Sequence, residues 1–159
     1  MKQVFLEIEE KLRAEVPAVK YVDKNWGQLQ QGQPPVQWPC VLIDLDHIEY
    51  SGTGSAERLA RVSLTLTVAD RHGVKSSGQA PRRGEAYQIL DLLEQVMETL
   101  EGWRVPGTSQ ALTRERLSKS YSDASHDVYE LSYSTAWVEA PERRGQRAPA
   151  RIGLRIERG

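Results

Sequence analysis

Apolar and polar residues alternate from Ala60 to Ala69. Ala60, Val62, Leu64, Leu66 and Val68 fall on one side, and Arg61, Ser63, Thr65, Thr67 and Ala69 on the other. A period of two predicts a strand, here spanning 57–70. Its sheet should have one apolar and one small-polar face, with a helix or second layer on one side only. Cys40 to Tyr50 reads as a second strand, with Val41, Ile43 and Leu45 on one face and Leu42 on the other. Ser51-Gly-Thr-Gly-Ser55 supplies the turn that makes the two an antiparallel hairpin. Two more strands are predicted at 110–121 and 126–138, turned at Asp123 to Ser125. In the last, Tyr129, Leu131, Tyr133, Thr135 and Trp137 oppose Val128, Glu130, Ser132, Ser134, Ala136 and Val138.

Helical spacing occurs twice. Val4, Phe5, Ile8 and Leu12 share a face over 2–15, and Pro17 ends that helix. Ala86, Ile89, Leu90, Leu93, Val96, Met97 and Leu100 form a stripe over 84–101, with Gly102 as the stop. A short strand is expected around Val19 to Val22. Asn25 to Pro39 holds Trp26, Trp38 and the Pro34-Pro35 pair and reads as an extended connection. The loop 71–84 is poor in apolar residues and carries Arg71, Lys75, Arg82 and Arg83. Loops of this length are functional or disordered. Past Pro141 the chain is rich in Arg, Gly and Pro, yet Ile152, Leu154 and Ile156 alternate in phase after Arg151, as a short terminal strand would.

The order of elements is α+β: a mainly antiparallel twisted sheet with two helices packed on one face. At 159 residues and 39% apolar, the chain has material for one core, in a domain over 1–140 with a basic arm over 141–159. The net charge of −1 conceals an asymmetry: the arm carries +4 and the first 140 residues −5. No bulk field therefore recruits nucleic acid or membrane. A single cysteine, Cys40, excludes an internal disulfide and a multi-cysteine metal site, and fits a reducing cytoplasm. Glu7, Glu9 and Glu10 interrupt the one apolar run resembling a secretion signal, and no stretch is long enough to span a bilayer.

Candidate chemistry is sparse. Strict alternation puts Asp44 and Asp46 on one strand face and His47 on the other. With Asp70, the two carboxylates make only a fragment of an oxygen-ligand site. Gly52-Thr-Gly54 lacks the ending of a phosphate loop and joins two strands. His47, His72 and His126 are scattered, and no nucleophile elbow is present. Cys40 and His47, seven apart, are expected on opposite faces, with Cys40 buried and inert. Trp26, Trp38 and Trp103 lie outside the apolar stripes, which favours loop packing or subunit contacts over base stacking. No residue is assigned a catalytic, cofactor or metal role, and the chain reads as a non-enzyme.

Several segments together resemble the tail terminator and tail-completion proteins of long-tailed phages, prophages and related contractile injection particles. They are Met1-Lys-Gln-Val-Phe-Leu-Glu-Ile, Trp26-Gly-Gln-Leu, Gln33-Pro-Pro-Val-Gln-Trp-Pro-Cys-Val-Leu-Ile-Asp44, Val62 to Asp70, and Ala86-Tyr-Gln-Ile-Leu-Asp-Leu-Leu93. The resemblance covers 1–139. It implies a structural virion protein, assembled in the host bacterial cytoplasm, that forms a homo-oligomeric ring, commonly a hexamer. Such a ring caps the head-proximal end of the tail tube, ends tube growth and meets a head-completion or neck protein. On that reading Arg71, Lys75, Arg82 and Arg83 face the tube or the DNA-conducting channel, with nonspecific phosphate contact. Arg151, Ile152, Leu154 and Ile156 form a subunit-contact or tube-contact arm. Two other readings compete: a head-tail connector subunit of the same particle, and a small nucleic-acid-binding module using the Arg-rich tail.

Overall fold

The computed structural model describes residues 1–52, 57–71, 83–122 and 125–140. Helix α1 (Lys2–Glu15) leads to strand β1 (Tyr21–Lys24). A connection holding a short 3-10 turn (Gln28–Gln30) then reaches β2 (Cys40–Ser51). β3 (Arg58–Arg71), a 3-10 turn (Arg83–Tyr87), α2 (Gln88–Leu100), β4 (Thr113–Ser122) and β5 (His126–Glu139) complete the order. The five strands form one sheet in the order β1-β2-β3-β5-β4. β1 pairs parallel to β2 from Tyr21↔Cys40 to Lys24↔Ile43. The other three pairings are antiparallel. The fold is the expected α+β class with both helices against one sheet face.

That face builds the main core. Val4, Ile8 and Leu12 of α1, with Leu93, Val96 and Leu100 of α2, pack on the apolar side of β2, β3 and β5. Each such side chain contributes about 1.5–3 kcal/mol when buried, so the stripes hold both helices to the sheet. The stripe of α2 holds at Ile89, Leu93, Val96 and Leu100 but differs at one margin: Leu92 is buried and Leu90 is 42% exposed. The helix also begins later than predicted, because Arg83–Tyr87 winds as 3-10 before Gln88. β1 starts two residues later than expected, at Tyr21.

Two sequence expectations need correction. The second sheet face is not wholly open. At one end Cys40, Ala69 and Val128 form a small separate core, covered by Tyr21, Leu29, Val36 and Trp38. The connection between β1 and β2 is therefore a strap over the face opposite the helices. Parallel pairing requires such a crossover, and here it contains no α-helix. The second correction is the phase of β2. Leu45 pairs with Leu64 and His47 with Ser63, leaving Asp46 as a bulge residue. The extra residue resets the alternation, so Ile48 and Tyr50 pair with the core-side Val62 and Ala60. His47 thus lies on the same face as Asp44, not opposite it. Cys40 and His47 also share a face, but at ~3.3 Å per residue they lie too far apart along the strand to form a pair.

Candidate assembly surface

The strap is held by the carboxylate of Asp23. Tyr21 Oη donates to Oδ2 at 2.7 Å, and Trp26 Nε1 and Gln28 Nε2 donate to the same oxygen at 3.3 Å. The Lys24 N–H donates to Oδ1 at 2.8 Å. Burial opposes the charge on Asp23, but these hydrogen bonds outweigh it and hold its carboxyl below the usual range. The same contact, followed by burial, pushes the Tyr21 phenol up. Gln28 is fully buried; its Nε2 also donates to the Lys24 carbonyl at 2.8 Å and its Oε1 accepts from the Trp26 N–H at 2.8 Å. Gly27 at φ 94° begins this turn in the left-handed region, where glycine alone is unstrained.

Beneath the strap Cys40 is fully buried. Burial, reinforced by the Asp70 charge, pushes its thiol up to about 12. Trp38 stacks beside His126 with ring centroids 4.8 Å apart. Trp103 packs on the main core with Lys11 Nζ 4.8 Å from its ring centre. Trp26 alone of the three is largely exposed. Packing, then, accounts for two of the three tryptophans that fall outside the stripes.

The rest of the second face is polar. Asp44 accepts from Asn25 Nδ2 at 2.6 Å and Asp46 from Thr65 Oγ1 at 2.7 Å, so each carboxylate is engaged within the fold. Asp70 sits toward the other end of the sheet, in register with Asp127. Among the described residues no group of three His, Cys, Asp or Glu is placed to hold a metal.

The two flanks of the sheet differ. β1 covers β2 only as far as Ile43, and the Asn25 N–H to the Ile43 carbonyl at 3.0 Å is the last backbone contact on that side. Beyond it, among the described residues, Leu45 to Ser51 has no strand on its outer side. Beside this flank lies an open groove of roughly 500 Å³, whose lining includes Phe5, Leu6 and Leu45 with Lys2 and Asp44. On the opposite flank β4 is the outermost strand among the described residues, with Leu117 and Tyr121 exposed. Bulges at Glu115 and Ser120 interrupt its pairing with β5. Arg114 lies 4.0 Å from Glu101, and Lys119 lies 3.3 Å from Asp127 and over the Tyr129 ring. The hydrogen bond that Lys119 donates to the Asp127 carboxylate pushes its ammonium up.

Of the residues the sequence nominated, Arg71 ends β3 and is exposed, and Arg83 begins the 3-10 turn before α2. Lys75, Arg82, Arg151, Ile152, Leu154 and Ile156 lie outside the described residues. Sequence reasoning missed the open flank of β2, because no local pattern shows where a parallel neighbour stops. It also missed Asp23 and Gln28, for which only their polar character inside a short strand and turn was a signal. No described helix is long and apolar enough to cross a membrane. The chain matches no family model, and no curated protein aligns with it significantly.

Proposed function

We propose that this chain is a structural subunit that closes into a homo-oligomeric ring and caps the head-proximal end of a phage-type tail tube. The observation that carries this reading is the pair of unlike open flanks, Leu45 to Ser51 on one side and β4 on the other. A contact between two different surfaces of identical subunits is head-to-tail, and it closes into a ring when its rotation fits. Exposed strand edges invite such pairing. The element order that carries the resemblance to tail terminators, with both helices on one sheet face, adds to the support. In this reading Arg71 and Arg83, with Lys75 and Arg82, face the tube or channel, and the 141–159 arm docks on the tube or a neighbouring subunit.

Native mass spectrometry and electron microscopy of the purified protein test the ring. A closed oligomer with a central channel is expected, and a monomer at high protein concentration overturns the reading. Capping is tested separately by adding the ring to polymerising tail tube protein. Tubes should stop at short lengths, and unchanged lengths would remove the capping role.

A further inference from the structure

The ring reading leaves its contact unspecified, and the charges of the two flanks supply it. Asp46 and Glu49 make the free flank of β2 acidic, while Arg114, Arg116 and Lys119 against the single acid Glu115 make β4 basic. Arg114 leans on Glu101 and Lys119 on Asp127, whereas Arg116 has no ion pair among the described residues. We infer that β4 of one copy adds as an antiparallel strand to the free flank of β2 in the next copy, a proposal that rests on the ring reading above.

Strand direction fits. β2, β3, β5 and β4 alternate along the sheet, so β4 runs opposite to β2. A second copy set beside the first in the same orientation therefore meets it antiparallel, with the helix-covered faces on one side. Side-chain phase fits as well. Ile48 and Tyr50 lie on the helix side of β2, as Leu117 and Arg114 do on β4, through pairing with Val62, Ala60, Leu131 and Tyr133. His47 and Glu49 share the polar side with Ser118 and Arg116. One register sets Leu117 beside Ile48, Arg116 beside Glu49 and Ser118 beside His47. The bulge at Glu115 then brings Arg114 beside Tyr50. This covers Tyr50 and Leu117, which are 51% and 43% exposed in the single chain.

The competing pairings are disfavoured by the same charges. β2 against β2 brings the acidic Asp46 and Glu49 of one copy alongside the same acidic stretch of the other, and β4 against β4 does the same for the basic Arg114, Arg116 and Lys119. Both would give two-fold dimers. The charges thus select the head-to-tail contact rather than supply its strength.

The test uses the full chain with Glu49→Cys and Arg116→Cys together. Within one molecule these positions are separated by three strand spacings, ~14 Å, too far for a disulfide. Oxidation should give a ladder of covalent multimers on a denaturing gel, whereas each single variant should stay uncrosslinked. Dimers from either single variant would overturn the proposal in favour of a two-fold contact. Independently, Glu49→Arg or Arg116→Glu should weaken assembly by about tenfold or more and the double swap should restore it. Circular dichroism should be unchanged throughout, since both sites are exposed. A ring that persists with no ladder and no effect of the swaps overturns this contact and leaves the ring reading standing. A monomeric parent protein removes both.

Discussion

Asp46 occupies the bulge of β2, and Thr65 Oγ1 donates a hydrogen bond to its carboxylate at 2.7 Å across the β2–β3 pair. The bulge residue is what brings Ile48 and Tyr50 onto the core side after Leu45. Pairing on either side of it is otherwise regular. Deleting Asp46 should therefore preserve the fold, because Ile48↔Val62 and Tyr50↔Ala60 survive in an unbulged ladder. The cost should be about 1 kcal/mol for the lost hydrogen bond. Deleting Ser63, the partner of His47 beside the bulge, shifts β3 against both β2 and β5 and should abolish cooperative unfolding. Thermal melts of the two deletions check this; equal damage would show that the bulge has another role.

The carboxylate of Asp23 gives the strap an acid dependence. Its folded pKa lies below the ordinary 3.8, so the unfolded chain takes up the proton more readily than the folded one. The stabilisation is complete above the ordinary value and is lost as pH falls through the folded one. Stability measured by denaturant midpoint should decline as the pH falls below the ordinary carboxylate range, and Asp23→Asn should flatten part of that decline. At neutral pH the substitution should cost about 1 kcal/mol. Identical acid slopes in the two proteins would show that other carboxylates set the limb.

Cys40 reports on the closure of the same strap. Burial, with the Asp70 charge second, pushes its thiol up to about 12, and the thiolate is the reactive form. A disulfide reagent at pH 8 should modify the native protein slowly. Trp38→Ala removes part of the cover over Cys40 and Val128. Modification should then speed up by about tenfold for each ~1.4 kcal/mol of local stability lost. An unaltered rate would place the rate-limiting opening elsewhere.

Much of the scaffold was legible along the chain. The alternation from Ala60 to Val68 fixed β3 and its core face, and the spacing of Val4, Ile8 and Leu12 fixed the buried side of α1. Both signals are local, because a residue's face follows directly from the period of its own element. The stripe of α2 was read correctly at Ile89, Leu93, Val96 and Leu100 but took Leu90 in place of Leu92, since both lie at the margin of the stripe and only docking on the sheet separates them. Strict alternation likewise misassigned His47, because a bulge is resolved only when the partner strand is in place.

The residues that carry the proposed assembly, like His47, are placed only by the assembled sheet. The amino-acid sequence determined the strands, the helices, the apolar stripes and the basic character of Arg114, Arg116 and Lys119, all consequences of side-chain identity and period. It did not determine that β1 would stop at Lys24 opposite Ile43, that β4 would be the outermost strand, or that the strap would seal Cys40. Those follow from which elements become neighbours. Neighbours are chosen by long-range packing of whole faces, and short-range spacing does not encode them.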